Sequence, residues 1–217
     1  MHLTSFYVVS SLAQSLLRLT KLDYTDSMKP EYPLLPFTNA SSWRTWLDEN
    51  HDSSDGVWVR LFKKASGVTS VTYAEALDEA LCYGWIDGQR KSYDEVSFLQ
   101  KFTPRRTKSL WSKRNIEHVE RLLDAELIMP AGLAEITKAQ QDGRWEAAYD
   151  APSNMTLSSE FISELDKHPK AKKFFETLNK TNRYAIAWRL QTAKTEATRK
   201  RRQDKIIAML NEEQKFN

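Results

Sequence analysis

The spacing of apolar residues divides this chain into a mixed first half and a helical second half. Pro30, Pro33 and Pro36 punctuate an extended lead-in, after which Trp43, Trp46 and Leu47 share one face of a helix that Ser41 or Ser42 is placed to cap. Gly56 then opens Val57-Trp-Val-Arg-Leu-Phe62-Lys-Lys64, where Val57, Val59 and Leu61 alternate with Trp58, Arg60 and Phe62, the period of a half-buried strand. Thr72-Tyr-Ala-Glu75 has the form of a capping box. Tyr73, Leu77, Ala80 and Leu81 continue it as an amphipathic helix that Gly84 stops. Trp85-Ile-Asp-Gly88 follows at once and reads as a short strand or tight strand entry. A further strand ends at Pro104, with Val96, Phe98, Gln100 and Phe102 on one side and Ser97, Leu99, Lys101 and Thr103 on the other.

Beyond Pro104 the pattern is helical. Ile116, Val119, Leu122 and Leu123 define one helix, and Pro130 and Gly143 bracket another that carries Leu133, Ile136 and Ala139. Three more are expected over Leu157–Leu165, Pro169–Leu178 and Tyr184–Ala193, and a last from Thr195 to about Glu212. No fixed-period repeat is present, which argues against a solenoid. The expected fold class is α+β: a small mixed β-sheet flanked by helices in the N-terminal half, followed by an all-helical C-terminal half. Residues 1–35 are expected to form a tail or lead-in, 36–125 an α+β core, and 126–217 a helical region packed on it.

At 217 residues the chain is long enough to enclose a sizeable core. The single cysteine, Cys82, excludes an intramolecular disulfide framework, and its apolar surroundings predict a buried, inert thiol. No run approaches the roughly 18 apolar residues of a membrane helix, so the expectation is a protein without a membrane span, cytoplasmic in location. Residues 1–22 contain no acid and carry Arg18, Lys21 and several serines. Such a composition suits a dispensable tail ahead of Met28 or a presequence, and a presequence would make the location mitochondrial.

Net charge is only +3, but its distribution is uneven. Arg90, Lys91, Lys101, Arg105, Arg106, Lys108, Lys113 and Arg114 face only Asp94 and Glu95 within the same stretch. Two tryptophans, Trp85 and Trp111, lie among them or just before. A carboxylate at a glycine-bounded turn, Asp87, is suited to orient Arg90, Arg105 or Arg106 through forked hydrogen bonds, and a guanidinium so held binds a planar anion or phosphate. Trp85 and Trp111 are candidates for its walls. Ser112 and Asn115, at a helix start, would add hydroxyl, amide and backbone N–H donors. Each residue also has a plainer role: Asp87 satisfying turn donors, Ser112 capping, the tryptophans filling the core.

The familiar catalytic signatures are absent: the chain has no Walker-type phosphate loop and no GxGxxG, GxSxG or HExxH. No cofactor is implied. His2, His51, His118 and His168 lack metal-ligand spacing, so no metal site is expected. A second basic run, with Arg199, Lys200, Arg201, Arg202 and Lys205 set against Glu196 and Asp204, suits nucleic-acid phosphates or the solvated face of a terminal helix.

Several of these stretches together resemble the YdeI/OmpD-associated family, also labelled bacteriocin-protection proteins. They are Trp43-Arg-Thr-Trp-Leu47, Gly56-Val-Trp-Val-Arg60, the run from Tyr73 to Gly88, Phe102-Thr-Pro-Arg-Arg106, Ser109-Leu-Trp-Ser-Lys-Arg-Asn115, Met129-Pro-Ala-Gly132, Asp142-Gly-Arg-Trp145 and Ala193 to Arg201. The resemblance covers roughly Pro36 to Leu210. It implies a protective or stress-linked role and carries no catalytic set with it. Ala125-Glu-Leu127 departs from the pattern, since the family favours glycine in that loop.

The leading functional expectation is a non-catalytic binding protein for an anionic small molecule or a protein partner, using Trp85, Asp87, Arg90, Arg105, Arg106, Trp111, Ser112 and Asn115. One alternative is a nucleic-acid-associated protein acting through the terminal basic helix. The other is an enzyme with Asp87 as a base beside an arginine clamp.

Overall fold

A computed structural model describes residues 32–151 and 154–216. The expectations for residues 1–27 and for Pro30 lie outside the described residues.

The N-terminal half is built on a four-stranded mixed sheet in the order β1-β2-β4-β3: β1 Leu34–Pro36, β2 Val57–Phe62, β3 Trp85–Ser92 and β4 Ser97–Pro104. β1 runs parallel to β2, and the other pairs are antiparallel. The proline-rich lead-in therefore contributes an edge strand, the position in a sheet where a missing N–H is tolerated. Alternation in β2 works as the sequence predicts. Val57, Val59 and Leu61 are buried, while Trp58, Arg60 and Phe62 remain half-exposed.

α1 (Ala40–Asn50) and α2 (Tyr73–Cys82) cover the buried face. The cap of α1 differs from the expectation. Asn39 accepts the N–H of Ser42 at 2.9 Å, and the Ser42 hydroxyl accepts the N–H of Asn39, so Ser42 occupies the third helical position of a reciprocal box rather than the cap. Asparagine caps as well as serine, and Asn39 is the residue with the extended backbone at that position. α1 delivers Trp43, whose ring centroid lies 5.2 Å from that of Trp46 and 5.6 Å from that of Phe102; its indole N–H donates to Ala76 O across to α2. The Thr72–Glu75 box caps α2 as the sequence predicts.

Gly84, at φ +73°, ends α2 and admits β3 without a linker, a backbone state that a side chain would strain. β3 extends beyond the Trp85–Gly88 entry because a bulge between Asp87 and Arg90 keeps it paired to β4. The buried Gln100 amide fills that bulge, donating to Gly88 O at 3.0 Å. On β4 the expected polarity of the faces is partly overturned. Val96 falls outside the strand and is exposed, whereas Ser97 is fully buried, because its hydroxyl accepts from Arg60 Nε at 3.0 Å and donates to Asp94 at 2.6 Å.

Six helices follow: α3 Lys113–Asp124, α4 Pro130–Gln141, α5 Ser159–Leu165, α6 Pro169–Glu176, α7 Lys180–Gln191 and α8 Glu196–Asn211. α7 begins four residues before the expected Tyr184 because Asn179 caps it. Gly132 sits so close to Cys82 O that any side chain there would collide, which seats α4 on the end of α2. α5 to α8 enclose a second apolar cluster containing Phe161, Leu165, Phe175, Ile186, Ile206 and Leu210. No helix among the described residues is long and apolar enough to cross a membrane.

Candidate functional site

Where the sheet meets the helical half, polar side chains from five places in the chain surround a cleft of about 160 Å³. Tyr73 opens α2, and its hydroxyl donates to Asp87 Oδ2 at 2.7 Å. The bulge in β3 leaves Asp87 opposite Phe102, on the helix-covered face. Ser112 caps α3, accepting the N–H of Asn115 at 3.1 Å, and so Arg114 and Asn115 sit on the first turn at the cleft. A short parallel bridge then pins Tyr149 beside the cap: Lys113 N donates to Tyr149 O at 2.9 Å, and Tyr149 N donates to Trp111 O at 3.0 Å. Tyr184 on α7 lines the remaining side.

Arg105 lies behind this cleft. Its backbone N–H donates to Gly84 O at 3.0 Å, which draws the residue inward, and only 7% of it is exposed. The guanidinium lies over Trp111 with Cζ 3.5 Å from the ring centroid, and Nη1 reaches Leu110 O at 3.4 Å. Nε and Nη2 are buried with no hydrogen-bond partner among the described residues. Burial pulls its pKa down to about 10, against the attraction of Tyr149, Asp87 and Glu135. Arg105 thus stays charged at neutral pH while two of its donor atoms are unmatched, an arrangement that costs free energy unless something else supplies the acceptor.

The phenols are tuned the other way. Burial first, then the Asp87 carboxylate, push the Tyr73 and Tyr149 hydroxyls above the usual phenol range, and burial does the same to Tyr184. All three therefore remain hydrogen-bond donors. Counting charges, Arg105 and Arg114 outweigh Asp87.

The structure brings together Asp87, Ser112 and Asn115 of the residues expected from the sequence, with Arg105 and Trp111 immediately behind them. It does not bring in the others. Trp85 is 1% exposed, donates its indole N–H to His51 O at 3.0 Å and packs edge-on to Trp43 and Trp46, so it is core and not a wall of the cleft. Trp111 is equally enclosed, at 2%; its ring packs under Arg105, and its carbonyl accepts the Tyr149 N–H. Arg90 is exposed and lies over Phe98 at 3.8 Å, and Arg106 points into solvent. Tyr73, Arg114, Tyr149 and Tyr184 line the cleft without having been singled out. Arg114 belonged to the basic stretch, but nothing in spacing alone relates Tyr149 and Tyr184 to Asp87, because only the chain's return beside Ser112 does so.

Other candidates take structural places. His118 lies 2.7 Å from Asp78, which also receives Arg121 at 2.7 Å, tying α3 to α2 away from the cleft. Cys82 is buried, and burial together with Glu79 pushes its thiol up to about 11. Among the described residues no group of three or more histidine, cysteine or acidic side chains is placed to hold a metal. In the terminal basic run, Arg199 pairs with Glu196 at 3.0 Å and Lys200 with Asp204 at 2.7 Å. Arg202 donates to Arg189 O at 2.6 Å, while Arg201 and Lys205 are exposed.

Comparison with known proteins matches two separate stretches of the chain, the first ending inside the first apolar cluster and the second lying in the helical half. Residues 35–135 match a family model described as a domain of unknown function (DUF8412). No curated protein and no solved structure matches the chain. The motifs around Asp87 and Arg105 thus fall under the uncharacterised model, and kinship rests on the helical half. Residues 154–213 match the family model described as bacteriocin-protection, YdeI or OmpD-associated, so over that segment the chain is similar to this family.

Proposed function

We propose that the chain binds a small anion in the cleft between the sheet and α7, as a non-catalytic binding protein in a protective role of the kind its family label suggests. The observation that carries this reading is Arg105: a buried guanidinium with unmatched Nε and Nη2, next to a cleft that Asp87 and Tyr149 line. An unpaired buried cation is usually eliminated from a fold or given a carboxylate. Here the nearest acid, Asp87, already accepts the Tyr73 hydroxyl, so an acceptor from outside is the natural partner. Arg114, the Asn115 amide, the Tyr149 and Tyr184 hydroxyls and the positive end of α3 all favour the same charge. At about 160 Å³ the cleft admits an anion of a few heavy atoms and is too small to enclose a whole nucleotide.

In this reading Asp87 orients Tyr73 and limits the net positive charge, so a monoanion is preferred. The nucleic-acid reading of the terminal helix loses support, since Arg199 and Lys200 are already paired with acids on their own helix.

The test is a thermal-shift titration of the full chain with phosphate, acetate and malonate. A true ligand at a hundredfold excess over its dissociation constant adds about 2.7 kcal/mol of stability. Arg114→Ala, an exposed position, is expected to weaken that binding at least tenfold while leaving the unliganded melting temperature within about 1 °C. An unchanged shift in this variant would remove the cleft from consideration.

A further inference from the structure

A second concave site lies wholly within the helical half. Trp188 of α7, Ile206 and Met209 of α8, and Phe216 of the segment after α8 form the apolar floor of a groove of about 500 Å³. Phe216 is held there because its carbonyl accepts the Asn182 amide at 2.9 Å. Arg189, Arg202, Lys205 and Lys215 rim the floor, and among the described residues no acidic side chain lines the groove. Among the described residues none of these four cations is paired with a carboxylate, although ten other lysines and arginines are. Arg189 and Arg202 turn instead to carbonyls: Arg189 donates to Ala185 O at 3.1 Å and lies over Phe216 at 4.6 Å, and Arg202 donates to Arg189 O. Their positions are thereby fixed while their charge is left uncompensated. Lys205 and Lys215 are exposed, and their long stems let the ammonium groups reach a ligand's head group.

We infer that this groove binds a small amphiphilic anion, its apolar chain along Met209, Trp188 and Phe216 and its anionic head between Lys205 and Lys215. Charge selects the sign of the ligand, since four unpaired cations around one hollow repel a cationic or basic partner. The floor selects its character: a wholly polar anion would leave the apolar atoms wet, whereas an acyl chain removes them from water. Two-point recognition of this kind needs both ends of the ligand. The groove uses no residue of the cleft, so the two readings stand or fall separately.

The experiment is calorimetric titration of the full chain with dodecanoate below its micelle concentration, beside dodecanol and dodecyltrimethylammonium. Dodecanoate is expected to bind once per chain, at least tenfold more tightly than dodecanol, with the ammonium compound weakest. Lys205→Glu with Lys215→Glu is expected to weaken dodecanoate at least tenfold. Should that double reversal not fold, Lys205→Gln with Lys215→Gln is expected to lose about threefold. Equal binding of all three compounds, absence of saturable dodecanoate binding, or undiminished binding in the folded lysine variants would each overturn the inference. Binding of an acidic amphipathic peptide or of an oligonucleotide in place of dodecanoate would also overturn it.

Discussion

The two apolar clusters of this molecule are built on different principles. In the sheet half, Phe37, Trp43, Trp46, Trp85 and Phe102 interlock, and their polar tips are anchored to backbone oxygens far along the chain, as Trp43 is to Ala76 O and Trp85 to His51 O. In the helical half, aliphatic residues and phenylalanines fill the space between four helices, with no tryptophan in the cluster. The first kind of core fixes side chains in definite directions, and a polar site can be built against it. The second yields grooves between helices. The contrast explains why the hydroxyl-rich cleft grows from the sheet side and borrows only Tyr184 and the neighbourhood of Tyr149 from beyond it, through contacts such as Tyr149 with Trp188 and Asp150 with Gln191.

The largest expected effects separate these cores. Trp43→Ala removes a fully buried indole and is expected to cost about 3–5 kcal/mol, abolishing the tertiary signal of the sheet half. Phe161→Ala, also fully buried, is expected to cost a similar amount while lowering only the protection of amides in the four last helices. Hydrogen exchange of both variants checks the contrast. Uniform loss of protection across the chain in either one would show a single cooperative unit instead.

A smaller effect follows from Cys82. Its folded value of about 11 lies above the ordinary 9.0, so the unfolded chain releases this proton first as pH rises. The thiol's contribution is whole below pH 9 and is lost as pH climbs through about 11, an amount near 2–3 kcal/mol. Denaturant unfolding under reducing conditions at pH 8 and 11 is expected to show a steeper loss in the parent chain than in Cys82→Ala. The phenols contribute equally to both and cancel in the comparison.

Much of the fold was legible because local rules and tertiary packing agree there. The Thr72–Glu75 box, the alternation of Val57 to Phe62, Pro130 at the start of α4 and the glycine stop at Gly84 each state their element within a few residues. Where the reading failed, the deciding contact was distant or between equivalent local choices. Asn39 rather than serine caps α1, Ser97 is buried by Arg60 and Asp94, and Trp85 serves the core because α1 lies over it. The site was only half legible. Asp87, Ser112 and Asn115 share a stretch of sequence rich in charge, but Tyr149 and Tyr184 enter through chain return.

One departure noted in the sequence also has a structural counterpart. Glu126, in the loop that departs from the pattern of the resembled family, sits at φ +56°, in the left-handed region that favours glycine. Glu126→Gly removes that strain and is expected to raise stability by up to about 1 kcal/mol, the smallest of these effects, read as a shift in denaturation midpoint.

The central claim is that Arg105 is retained as a buried, partly unmatched cation for a ligand rather than for the fold, and Arg105→Met tests it most directly. Methionine keeps apolar contact with Trp111 and removes the charge, so the account predicts unliganded stability equal to or above that of the parent chain, together with loss of the anion-induced thermal shift. A variant that is several kcal/mol less stable yet still responds to the same anion would contradict it.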